Sequence, residues 1–231
     1  MKVEIWSDVV CPFCYIGKRR FEQALENFPS KDKVEIVWRS FQLDPEMEYV
    51  PGQSVHEYLG KRKGGSAADG KKMNDAMAAM AKEVGLHYDF DNAVINNTLD
   101  AHRLLHLAKQ HQLQNEMKER LFAAYYTEGK NIGDLDTLIS LGAEVGIPAD
   151  EIRDVLQTDA FIHEVKQDQY IAAHIGARGV PFFVFNDKYA ISGAQPAEVF
   201  KQVLDTVWEE EKPTVISEEG QGFCSVDGVC N

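Results

Sequence analysis

The chain opens on a short alternating run. Val3, Ile5 and Ser7 face one way and Lys2, Glu4 and Trp6 the other, the period of a strand. A helical period takes over at once, with Phe21, Ala24, Leu25 and Phe28 on one face until Pro29 and Ser30 break it. A second strand is predicted over residues 34–41, closed by Asp44-Pro45 and followed by the Pro51-Gly52 loop. A β-α-β unit of this kind predicts a parallel pair and a right-handed crossover.

From about residue 54 to residue 175 the pattern is helical only. Met73, Met77, Met80 and Val84 repeat at steps of four, three and four, and Gly85 stops that helix. Thr98 predicts an N-cap for a helix burying Ala101, Leu104, Leu105 and Ala108. Met117, Leu121, Ala124 and Tyr125 form another stripe, and Asp134 caps a helix through Leu138, Leu141 and Val145 that ends at Gly146. Pro148 opens a short helix with Ile152 and Val155; Phe161, Val165, Ala172 and Ile175 mark the last, closed by Gly176. The methionines read as core filler, and Lys61 to Ser66 as a mobile, solvated loop.

Residues 180–185 are apolar on both faces, as a central strand would be. Asn186-Asp187-Lys188 predicts a hairpin turn, and residues 189–192 return antiparallel to Gly193. Pro196 then starts a helix burying Val199, Phe200, Val203, Leu204 and Val207, which stops before Pro213. Residues 218–231 are Gly-rich and acidic and read as a tail carrying Cys224 and Cys230.

The chemistry concentrates where the first strand hands over to the first helix. There Ser7-Asp8-Val9-Val10-Cys11-Pro12-Phe13-Cys14-Tyr15 puts Pro12 at the first helical position and Cys11 just before it. Free amides and the positive end of the helix dipole predict a favoured thiolate and a lowered pKa at Cys11. Cys14, about one turn on, lies deeper and close enough to close a disulfide. A zinc site would need a second matched pair nearby, and a structural disulfide between neighbours is out of place in a reducing compartment. The pair reads as redox-active. Pro181 ahead of an apolar strand is the second clue. It marks either a strand start or a cis Val180–Pro181 bond that exposes the Val180 backbone to a peptide substrate; beside a Cys-x-x-Cys the cis reading is favoured. The element order is that of an α/β thioredoxin fold with a large inserted all-helical domain. The boundaries are 1–53 and 176–212 for the thioredoxin-like part, 54–175 for the insert and 213–231 for the tail. The insert is expected to form a lid limiting what reaches Cys11.

Composition narrows the partners. With 231 residues, 44% of them hydrophobic, the chain suffices for one large domain or a domain with an insertion, and a net charge of −13 argues against nucleic acid and anionic membranes. No apolar run is long enough to span a bilayer, and Met1-Lys2-Val3 runs straight into a strand without a signal-peptide pattern. The expectation is a cytoplasmic protein. His102 and His106 stand one turn apart, but Arg103 replaces the Glu of a zinc helix, so these two and His111 read as structural, with no metal site. Arg178 reads as solvated. The acid–base group serving Cys14 stays open between Glu4, Asp8 and water.

Four stretches carry a family resemblance: residues 7–18, 97–103, 128–132, and 179–184 through 192–195. On these the chain resembles the DsbA family, specifically its FrnE-like branch. The resemblance implies a dithiol–disulfide oxidoreductase or isomerase acting on protein disulfides. Cys11 is then the nucleophile, Cys14 the resolving thiol and Pro181 cis, with Pro12, Phe13, Val180 and Pro181 against the substrate. The redox disulfide itself replaces a cofactor, and glutathione as co-substrate stays open. The implied partners are protein or small-molecule disulfides and thiols and cellular thiol reductants, and a homodimer is plausible. The dipeptide is Pro-Phe here, where secreted DsbA proteins have Pro-His, which leaves the direction of electron flow open. Kappa-class transferases and 2-hydroxychromene-2-carboxylate isomerases share the fold branch but use serine at the position of Cys11, so a glutathione-dependent reaction is the runner-up. A redox-dead binding module comes third. Cys224 and Cys230, with Gly228 between them, are expected to be an accessory redox pair, as in FrnE-like relatives with a second C-terminal pair; a weak zinc pair or idle thiols are the alternatives.

Overall fold

The structure, a computed structural model, describes residues 1–211, so Cys224 and Cys230 and the pairing expected of them lie outside the described residues. Four strands form one sheet in the order β2-β1-β3-β4: β1 (Lys2–Ser7), β2 (Glu35–Ser40), β3 (Phe182–Phe185) and β4 (Tyr189–Ser192). β1 pairs parallel with β2, Val3 opposite Ile36, and antiparallel with β3, Val3 opposite Phe185; β3 pairs antiparallel with β4. β3 begins at Phe182, two residues later than the apolar run predicts, because Pro181 has no N–H for the ladder.

The alternation in β1 does not produce a solvated face. As an inner strand it is buried from Val3 through Ser7. Its polar positions are matched instead: Glu4 accepts from Arg39 Nε at 2.8 Å and pairs with Lys2 at 2.9 Å, and the Trp6 indole donates to the Asp168 carbonyl at 2.9 Å. On the face of Val3 and Ile5, α1 (Pro12–Glu26) and α9 (Ala197–Glu211) pack through Phe21, Phe200 and Leu204. The Phe183 and Phe200 rings meet edge-on at 4.7 Å. The opposite face, through Trp6 and Phe182, packs on Ala172.

Between β2 and β3 run α2 (Val55–Arg62), α3 (Ala67–Glu83), α4 (Leu99–Gln110), α5 (Gln114–Tyr126), α6 (Leu135–Glu144), α7 (Ala149–Leu156) and α8 (Ile162–His174). Ser54 and Ser66 open α2 and α3 with capping boxes, and Asp134 caps α6 by accepting from the Thr137 N–H at 2.9 Å. Thr98 does precede α4 but makes no side-chain cap; Asn97 Oδ1 takes the Leu99 N–H at 2.9 Å instead. The basic stretch is less loop than predicted. Lys61 and Arg62 finish α2, Arg62 binds Asp44 at 2.5 Å, and Ser66 caps α3. Gly70 lets α3 cross α2 closely, since a Cβ there would stand 1.9 Å from the His56 carbonyl. One hydrophobic cluster joins Val9, Cys14, Tyr15 and Ile16 to Leu104, Met117, Phe122 and Leu138. The cysteine turn is therefore packed directly on the helices that follow β2. Among the described residues no helix is long and apolar enough to cross a membrane.

Candidate active site

Cys11 occupies the N-cap of α1 in an extended conformation, and Pro12 the first turn, where its missing N–H costs nothing. Both cysteines are free thiols and both are buried, Cys11 to 4% exposure and Cys14 to 1%. Phe13 between them is exposed. Pro181 reaches the site from the other end of the chain. The Val180–Pro181 bond is cis, and the Cys11 thiol donates to the Val180 carbonyl at 3.4 Å. Gly17 makes the approach possible: a Cβ there would lie 2.9 Å from Pro181 Cγ. Pro12, Phe13, Cys11 and Val180 thus share one wall of a cavity, whereas Cys14 is not among its lining residues.

An exposed Cys11 of lowered pKa is not what these surroundings produce. The Cys14 side chain, hydrogen-bonded to it, and then burial push the Cys11 thiol well above its ordinary range; the Cys14 backbone N–H works the other way and is outweighed. The charged groups around the pair explain the rest. Asp8 is fully buried and accepts from the Val9 N–H at 2.8 Å, the Leu43 N–H at 2.7 Å and His102 Nε2 at 3.2 Å. Burial pushes Asp8 up, but the bond and charge of His102, the Leu43 N–H and the Lys118 charge together hold it below the usual range. His102 is lowered, burial prevailing over the pull of Asp8, so it stays a neutral donor.

Lys118 on α5 is the residue that the sequence pattern passes over. It is fully buried, with Nζ 3.3 Å from the Ser7 carbonyl and over the rings of Phe122 at 4.9 Å and Trp38 at 5.4 Å. Burial pushes it down to about 8, against the upward pull of Cys14, Asp8 and Cys11. Lys118 therefore joins Asp8 as a candidate proton partner, while Glu4 is taken up by Arg39 and Lys2. Its signal in the sequence was faint: Gln114, Lys118 and Phe122 follow one another at steps of four, beside the Met117 stripe.

The histidines do not converge. His102 serves Asp8, His106 sits between Ser40 Oγ at 3.1 Å and Asp168 at 3.3 Å, and His111 meets Glu151 at 3.0 Å. Arg178 is exposed. The methionine stripe needs a correction: Met73 and Met77 line the cavity beside Cys11 and so are more than filler.

Glu119, next to Lys118, ties α5 to the cysteine helix. It accepts from Tyr15 at 2.6 Å, Lys18 at 2.7 Å and Arg19 at 3.0 Å. Burial works upward on its carboxyl, but Arg19, Lys18 and Tyr15 hold it at about 2. A carboxyl lowered on folding adds stability above its unfolded pKa and loses it as pH falls through the folded one. Glu119→Gln is expected to cost about 1 kcal/mol at pH 7, screening allowed for. The gap to the parent should shrink between pH 4.5 and about 2, as read by thermal melts across that window. A pH-independent gap would show that the carboxylate charge is not what binds the helices.

The comparisons with known proteins fit this geometry. The family model for DSBA-like thioredoxin domains matches residues 2–205. The chain belongs to that family. The probable DsbA oxidoreductase SCO1869 of Streptomyces coelicolor is 40% identical and superposes with a TM-score of 0.86, covering 100% of this chain and 98% of its own. The uncharacterized protein YwbO of Bacillus subtilis is 30% identical over 210 residues, 87% of this chain and 94% of that protein. The cytosolic disulfide reductase DsbM of Pseudomonas aeruginosa, solved with GSH, shares the fold at 17% identity and a TM-score of 0.63, over 90% of this chain and 100% of its own. Membership in the DSBA-like family carries thiol–disulfide oxidoreductase-type chemistry and a thioredoxin fold with it.

Proposed function

We propose that this DSBA-like protein reduces disulfides through the Cys11–Cys14 dithiol. The observation that carries the reading is the Cys11 thiol held between the start of α1 and the Val180 carbonyl, with Cys14 one turn behind it. Cys11, once deprotonated, attacks one sulfur of the substrate; that S–S bond breaks and the departing thiolate takes up a proton. Cys14 gives its proton to water, with the Lys118 ammonium as counter-charge, and attacks the Cys11 sulfur. The Cys11–Cys14 disulfide forms and the second substrate thiol leaves. Two electrons have passed from the dithiol to the substrate. A thiol reductant of the glutathione class returns the enzyme to the dithiol, a role suggested by the glutathione-bound DsbM structure.

The buried thiol supports this direction. Strong dithiol oxidants owe their potential to a reduced form stabilised as thiolate. Here Cys14 and burial raise the Cys11 thiol, so Cys11 lacks that stabilisation, which supports the reducing direction. Equilibration in glutathione redox buffers, followed by thiol trapping, tests this. Cys11 and Cys14 are expected to oxidise together in one two-electron transition, nearer about −270 mV than about −120 mV. A potential at the oxidising end would reverse the direction, and separate glutathione adducts on the two cysteines would remove the dithiol mechanism.

A further inference from the structure

The cavity that Cys11 lines has a volume of about 550 Å³. That is within the range of about 300–1,000 Å³ typical of small-molecule sites. Protein interiors pack to crystal-like density, so a space of this size against a reactive thiol is a binding feature of the fold. Its far walls are Val55 and Leu59 of α2, Met77 of α3, and Met47, Phe90 and Ile95 from the connecting segments. Methionine side chains adapt to varied apolar shapes without a large cost.

Most of the polar groups on the wall are already engaged. Asp8 is held by His102, Asp44 by Arg62 and Tyr58, and the Asn74 amide by His56 Nδ1 at 2.9 Å. The cation outside such pairs, Lys63, is exposed. A ligand recognised by its charge would find little here, whereas an uncharged hydrocarbon arm would find six apolar side chains. Access points the same way. Cys11 is 4% exposed and lines this space while Cys14 does not, so a disulfide that enters the cavity meets the attacking sulfur first. The α2–α3 pair, crossing closely at Gly70, walls this space with Val55, Leu59 and Met77, which disfavours a bulky folded protein.

Resting on the reductase reading above, we infer that this cavity holds the apolar arm of a small, uncharged disulfide. The Cys11 thiolate attacks the sulfur bearing that arm, the substrate S–S bond breaks, and the other half leaves as a thiolate that takes a proton from water. The arm stays in the cavity as the mixed disulfide until Cys14 displaces it as a second thiolate, which is protonated in turn. The electron pair comes from the dithiol, and a dithiol reductant in the assay restores it.

Dibenzyl disulfide and bis(2-hydroxyethyl) disulfide test this, since both release alkyl thiols and differ mainly in the arm. With dithiothreitol as reductant, kcat/KM for the benzyl compound is expected to exceed that for the hydroxyethyl compound by about tenfold or more. Met77→Trp and Met73→Trp, which fill the cavity from α3, should each shrink that ratio at least about fivefold, mainly through KM. Dibenzyl sulfide, which has no S–S bond to break, should compete with the benzyl substrate. A parent ratio near one, or no competition by the sulfide, overturns the inference whether or not the tryptophan variants fold. A ratio unmoved in both variants, when circular dichroism shows them folded, does the same. Equal reaction with both disulfides leaves the reductase reading standing while this inference fails. No reaction of Cys11 with either disulfide defeats both.

Discussion

Cys14→Ala is expected to stop turnover at the mixed disulfide and, at the same time, to lower the Cys11 pKa. The two effects share one origin. In the parent protein the largest influence raising Cys11 is its bond to the Cys14 side chain, with the Cys14 charge adding to it; burial comes between them in weight. Removing the second sulfur takes away the largest of the raising influences and leaves burial and the Asp8 charge opposed by the helix N-terminus, so the thiolate fraction at neutral pH rises. Alkylation of Cys11 at pH 7 should therefore be faster in Cys14→Ala than in the parent, while steady-state disulfide reduction falls by about a thousandfold or more. Substrate should remain bound to Cys11 and be recoverable as an adduct by mass spectrometry. Cys11→Ala, by contrast, should lose exchange and form no adduct. In the parent, the exchange rate should go on climbing above about pH 8.5, where an unperturbed thiol begins to level off. Slower alkylation of Cys11 in Cys14→Ala would show that the second sulfur does not restrain the first.

The parts of this site legible in the sequence are those whose signal is local. Pro12 at the start of a helix, the Cys-x-x-Cys spacing and the apolar run after Pro181 each announce themselves within a few residues. What was not legible depends on burial by distant segments. Nothing near Cys11 in the chain says that Val180 will close on its sulfur, so a thiol expected at an open helix N-terminus is in fact 4% exposed. The alternation puts Trp6 and Glu4 on one face of β1 without saying that both faces are covered, and the placement of β1 between β2 and β3 buries them. The Asn97–Arg103 stretch, which carried part of the family resemblance, proves to be structural in most of its members. Asn97 binds the Pro45 and Met47 carbonyls at 2.9 and 3.2 Å and so fixes the loop after β2. Arg103 is buried and donates to the Ala160 carbonyl at 2.7 Å and to those of Val155 and Leu156, closing the end of α7. His102 alone reaches the chemistry, through Asp8. Lysine on a helix is solvated by default, and Lys118 departs from that because α5 packs on the cysteine turn, a contact with no local signal in the sequence.

Lys118→Met should separate function from stability most sharply. Burial lowers Lys118 from 10.5 to about 8, so between those values the unfolded chain binds more protons than the folded one. Stability then rises with pH across that window, and below about pH 8 the folded state bears the full cost of keeping a buried ammonium charged, about 3 kcal/mol. Methionine removes that cost. It also forfeits the hydrogen bond to Ser7 and the two ring contacts, which offset about half of the gain; the attraction to Asp8 is already contained in the shift. The expected net effect is stabilisation of about 1–2 kcal/mol at pH 7, or a few degrees in melting temperature, fading towards pH 10.5. Activity should move the opposite way. Without Lys118, Cys14 loses the cation that acts on it most strongly, so release of the mixed disulfide slows by about ten- to a hundredfold. Attack by Cys11 should be less affected, since Cys14 stands ahead of Cys11 among the groups acting on Lys118. Single-turnover measurements that resolve the two steps, together with melts from pH 6 to pH 10, check both halves. A variant that melts lower at pH 7, or one that slows attack and release equally, would mean that Lys118 supports the fold and does not serve Cys14.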